Sequence, residues 1–179
     1  MKKLKDLETA ALAGDIATVQ EIIASGVDVN VACGEHDETP LILSSSIELT
    51  NWLLANGADI HARDNRGRTA LFSRIHYKTG LAPDFKLLLD AGADINAVDN
   101  EGTPLLFNAV WTAKLDVVET LIAHGADVFY EREGAGDWGN ENARTEAENL
   151  GFLNITRVLR MARNEELPEE DVIGEDDAE

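Results

Sequence analysis

Apolar residues return along this chain in short clusters at helical spacing, with polar, glycine-bearing stretches between them. Ile16, Val19, Ile22 and Ile23 form one stripe, and Trp52, Leu53 and Leu54 another. Phe85, Leu88 and Leu89 form a third, Val117, Val118, Leu121 and Ile122 a fourth, and Ile155, Val158 and Leu159 a fifth. Each stripe predicts a helix buried on one side. A Gly-x-Asp element closes four of the five: Gly26-Val27-Asp28, Gly57-Ala58-Asp59, Gly92-Ala93-Asp94 and Gly125-Ala126-Asp127. The glycines stand 31, 35 and 33 residues apart. A second mark leads three of the units, Thr39-Pro40-Leu41, Thr69-Ala70-Leu71 and Thr103-Pro104-Leu105, with spacings of 30 and 34. Such a period signals stacked supersecondary units, because one unit cannot bury its own apolar face and a stack can.

The marks have mechanical meanings. Threonine at an N-cap accepts a bond from a free backbone N–H of the first helical turn. Proline just after it sits where the missing N–H costs nothing. Glycine beyond the last turn supplies the positive φ that ends a helix. Each unit therefore reads as cap, short helix, turn, second helix, glycine stop and extended loop. The aspartate of the stop, repeated in register at Asp28, Asp59, Asp94 and Asp127, is better explained by bonding to its own loop than by acid–base chemistry.

These residues resemble the ankyrin repeat family. The resemblance rests on "DNRGRTALF" followed by "DFKLLLDAGADIN", and on "DNEGTPLLF" followed by "LDVVETLIAHGADV". It covers roughly residues 5–163 as about five repeats, approximately 5–30, 39–61, 69–96, 103–129 and 142–163, with atypical terminal units. The first repeat, and the fifth, "NARTEAENLGFLNITRVLRMARN", lack the Thr-Pro-Leu cap, and the fifth also lacks the final Gly-Ala-Asp. The fold implied is an all-α solenoid of helix-turn-helix units with extended finger loops. Residues 164–179 are expected to form an acidic, disordered tail.

The repeats are not uniform. Gly14, Gly80 and Gly151 mark the turn between the two helices of their units. Thr39 lies only six residues before Ser45, its equivalent in the second repeat, so the first helix or turn there is short. From Thr69 to Gly80 is eleven residues, and "RIHYKTGLAP" fills an extended turn. The longest departure is "ADVFYEREGAGDWGNENART", residues 126–145, between the fourth and fifth repeats. Tyr130, Arg132 and Trp138 in it are candidate anchors, since Trp, Tyr and Arg dominate interface hot spots. A second reading has Trp138 fold back over the last repeat.

The formal charge is −19, from 34 acidic and 15 basic residues. Residues 164–179 hold nine acids and no base, leaving −10 on the rest. So negative a surface repels phosphate backbones and steers basic partners inward, and nucleic-acid binding is not expected. No run of about 18 apolar residues or signal-peptide pattern is present, so no membrane association and a cytoplasmic location are expected. His36, His61, His76 and His124 are scattered, with no metal-ligand spacing. Cys33 and His36 lack an orienting third group for nucleophilic chemistry. "EGAGDWG" has no lysine and follows no strand, so it is no phosphate loop. No cofactor, no metal and no catalysis are expected.

A surface remains. The resemblance implies that loop tips and first helices bind another protein through a concave face. The loop tips are His36, Asp37 and Glu38; Asn65, Arg66 and Arg68; and Asn100 and Glu101. Exposed first-helix ends would be His76 and Tyr77 in the third repeat and Val110 and Trp111 in the fourth. Arg66 and Arg68 could meet a partner carboxylate or neighbouring acids of the array. The reading is a non-catalytic interaction module masking a basic partner, as an inhibitor or immunity protein would, through this face and the 130–142 loop. An adaptor or host-directed effector is the alternative; an enzyme built on the repeats, its pocket around His76 and Tyr77, is a weaker one.

Overall fold

The structure is a computed structural model that describes residues 2–76, 80–132 and 142–165, except the side chain of His76. Tyr77, Trp138 and the acidic tail beyond residue 165 lie outside the described residues. Within them ten helices alternate in pairs: α1 (Lys2–Ala13) with α2 (Ile16–Ala24), α3 (Pro40–Leu43) with α4 (Ile47–Ala55), and α5 (Ala70–Ser73) with α6 (Phe85–Asp90). Two further pairs follow, α7 (Leu105–Trp111) with α8 (Leu115–Ala123), and α9 (Ala143–Asn149) with α10 (Leu153–Ala162). The chain divides into two compact units, with the boundary between Leu105 and Leu106. In the first unit α1 packs on α2 and α3, α3 on α4 and α5, and α5 on α6. In the second, α10 packs on α9 and α8.

The stripes supply the cores. Leu7, Leu41, Leu49, Leu53, Leu71 and Leu88 are buried in the first unit. Phe107, Val118, Leu121, Ala147 and Leu159 are buried in the second. Val110, expected at an exposed helix end, is fully buried on the Phe107 side of α7, while the next residue, Trp111, is 39% exposed.

The helix ends follow the marks, with informative exceptions. Gly57 adopts φ +86, and its N–H bonds the Leu54 carbonyl while Ala58 N–H reaches Leu53, the pairing that satisfies a helix's last carbonyls. Where glycine is missing, another residue takes the left-handed conformation: Ala113 (φ +56) in the α7–α8 turn and Asn164 (φ +56) after α10. Thr39 caps α3 through Ile42 N–H at 3.4 Å. Thr69 holds the same position at α5, but its hydroxyl makes no cap bond and finds no partner among the described residues. The fifth repeat is capped after all. Asn142 accepts from the Arg144 and Thr145 N–H groups, and the Thr145 hydroxyl accepts from Asn142 N–H, a reciprocal capping box.

The indels of the second and third repeats are joined in space. α3 has a single turn, so the carbonyls of Leu41 and Ile42 have no helical donor. Arg74, just past α5, supplies donors: Nη2 to Leu41 O at 3.1 Å and Nη1 to Ile42 O at 3.2 Å. Its Nε meets Asp84 Oδ2 at 2.7 Å, and the Thr50 hydroxyl donates to the same oxygen at 2.7 Å. Arg74 and Asp84 are both fully buried. Burial pushes the Arg74 guanidinium below its usual range, and Asp84 opposes that shift. The long turn of the third repeat is a small antiparallel hairpin, β1 (Ile75–His76) against β2 (Gly80–Leu81). Gly80 thus sits in a strand and not at a helix–helix turn.

Candidate functional site

Three finger loops project from the first unit, and each is closed by its own backbone. In the first, Cys33 and Gly34 N–H both bond Glu38 O. In the second, Asp64 N–H bonds Arg68 O at 3.0 Å, and in the third Asp99 N–H bonds Thr103 O at 3.1 Å. Asp64 Oδ1 also accepts from the N–H groups of Arg66 and Arg68, and Asp99 Oδ1 from those of Glu101 and Thr103. An aspartate folding its own loop in this way leaves the tip side chains free to point out.

The fingers are then tied to one another. Asn65 N–H donates to His36 O at 2.8 Å, joining the second finger to the first. Asn100 N–H donates to Arg66 O at 2.9 Å, and its side-chain amide to Asn65 O at 2.9 Å, joining the third to the second. Gly67 makes that approach possible. It has φ +79, and a Cβ there would stand 2.7 Å from the Asn100 backbone nitrogen. Arg63 adds a strut, with one Nη1 reaching both Gly67 O and Val98 O.

The tied fingers enclose an open groove of about 400 Å³ lined by Asn65, Arg66, Arg68, Asp99, Asn100 and Glu101. Five of these six are loop-tip positions singled out by sequence. The sixth, Asp99, was legible in the shared "DN-x-G" of the second and third fingers. Arg66 Nη2 lies 2.6 Å from His36 Nε2. A guanidinium only donates, so in this contact the imidazole nitrogen is the acceptor. Neither Arg66 nor Arg68 meets a carboxylate among the described residues, and Arg68 Nε is buried without an acceptor.

The other expected positions fall elsewhere. Trp111 Nε1 donates to Glu146 Oε1 at 2.7 Å, so its polar edge is occupied. Tyr130 and Arg132 are half-buried, and the Arg132 guanidinium lies 5.5 Å from the centre of the buried Phe107 ring. The sequence did not mark a cation cluster beside them. Arg144 and Arg160 each meet Glu148 at 2.7 Å, and Arg163 meets Glu165 at 2.6 Å and lies 4.9 Å over the Phe129 ring. Burial works against the Glu148 charge, but the hydrogen bonds from Arg160 and Arg144 outweigh it and hold the carboxyl below its usual range.

The aspartates of the glycine stops bond their own loops, as at Asp59 Oδ1 with His61 N–H and Asp127 Oδ1 with Phe129 N–H. Burial pushes the Cys33 thiol up to about 12, with Glu8 and Glu38 adding to it, so little thiolate forms at neutral pH. Among the described residues no group of three or more His, Cys, Asp or Glu is placed to hold a metal ion, and no helix is long and apolar enough to cross a membrane.

Paired helices with loops drawn out into fingers define a repeat scaffold whose exposed chemistry sits at the loop tips. A family model described as ankyrin repeats, in three copies, matches residues 7–99 and again residues 44–131. These matches take in well over half of the 179 residues, and the protein belongs to the ankyrin repeat family. Members of that family generally mediate protein–protein interaction and are typically non-catalytic. No curated protein matches the chain.

Proposed function

We propose that this chain is a non-catalytic interaction module that docks a basic partner protein on the finger groove and masks it, as an inhibitor or immunity protein would. The groove carries this reading. It is open, it is preorganised by backbone bonds between fingers, and its charged tips make no ion pair among the described residues. A docking surface held in shape before contact loses less entropy on binding. The net charge of −19 supports a basic partner, because it raises the encounter rate with cations. Steric occlusion then follows from seating the partner on a rigid scaffold. Affinity capture on the immobilised full chain at low salt should recover a protein of high isoelectric point, released progressively as salt rises. Arg66→Ala with Asn100→Ala should weaken that capture. Recovery of neutral or acidic proteins alone, or capture indifferent to both salt and these substitutions, would remove the reading.

A further inference from the structure

We infer that Arg66 and Arg68 form a seat for one carboxylate carried by a side chain of the partner protein. The inference rests on reading the finger groove as the docking surface. Arginine presents its donors in a planar fork that matches a carboxylate's two oxygens. Here two such forks line one wall of the groove from a single finger, on a chain with 34 acidic residues. Neither makes an ion pair among the described residues. Arg66 Nη2 is held 2.6 Å from His36 Nε2, which is not a carboxylate. Arg68 stands in the same groove, two residues further along the finger. Both side chains line the groove, where one carboxylate can take donors from two forks at once.

The opposite wall sets the size and sign of what can enter. Asp99 and Glu101 line it, Asp99 Oδ1 is committed to two backbone amides, and the Glu101 carboxylate is exposed with no partner among the described residues. A run of phosphates would meet these acids and the −19 field, and is disfavoured. A single carboxylate with a cation beside it satisfies both walls. The net charge then attracts a basic partner, and the two arginines fix its register by reading one acid on it.

The test is selection of short, randomised displayed peptides on the immobilised full chain. Peptides selected on the native chain should share an Asp or Glu position. A selected peptide should lose about tenfold in affinity against Arg68→Gln, the size expected for one charge-assisted bond. Selection on Arg68→Glu should exchange the acid for Lys or Arg. Circular dichroism melts of the variants verify folding, and Glu101→Gln should keep the acid preference. Selected peptides without a shared acid, or bound equally by Arg66→Gln, Arg68→Gln and the native chain, overturn the carboxylate seat and leave the interaction module standing. Failure to select any peptide overturns both.

Discussion

Asp64 and Asp99 each give one carboxylate oxygen, Oδ1, to two amides of their own finger, and that oxygen folds the tip. Gly67 has the opposite role, since what matters there is the missing side chain. Its φ is positive, as at Gly57, but only at Gly67 would a Cβ collide with the neighbouring finger. Gly57→Ala should cost about 1–2 kcal/mol, from the backbone conformation alone. Gly67→Ala should cost more, because Asn100 must also move and its bond to Arg66 O is lost. Urea unfolding of the two variants separates these cases; equal costs would show that the finger contact contributes nothing. The sequence revealed both glycines, but only the repeat period assigned Gly57 its task. Nothing local to "DNRGRT" shows that Asn100, a repeat away, lies against Gly67.

At the scale of elements, the irregular second and third repeats behave as one device. The sequence exposed both indels, since Thr39 and Ser45 stand too close and Thr69 and Gly80 too far apart. It did not reveal their coupling, because a guanidinium reaching carbonyls more than thirty residues away leaves no periodic trace. Arg74→Met should destabilise the protein by about 3–5 kcal/mol, as it leaves Asp84 charged and buried. Arg74→Met with Asp84→Leu should recover part of that loss, measured by denaturant unfolding. A double variant as unstable as the single one would mean that the carbonyls of α3, and not the stranded charge, dominate.

The α9–α10 pair is tied differently, through Glu148 between Arg144 and Arg160. A carboxyl held low in the folded state stabilises it above the unfolded value near 4.5 and loses that effect as pH falls through the lower folded value. The stability gap between the native chain and Glu148→Gln should therefore be full at neutral pH and close in acid below about pH 4.5. Urea midpoints taken at stepped pH report it. A gap that does not change with pH would assign the effect of the substitution to packing.

Over the whole molecule, the repeat marks carried function as far as a protein–protein interaction module. A chain at −19, with a buried cysteine and scattered histidines, directs attention to surfaces and away from chemistry. The groove was legible in five of its lining residues because repeat register places loop tips together. Its shape was not, because that depends on bonds between fingers. Tyr77 and Trp138 lie outside the described residues, so the docking account rests on the fingers. Backbone hydrogen exchange of the full chain, free and with its captured partner, tests that account most directly. Slowed exchange at residues 64–68 and 99–103 on binding is the predicted result. Protection confined to α8–α10, with the finger amides unchanged, would contradict it.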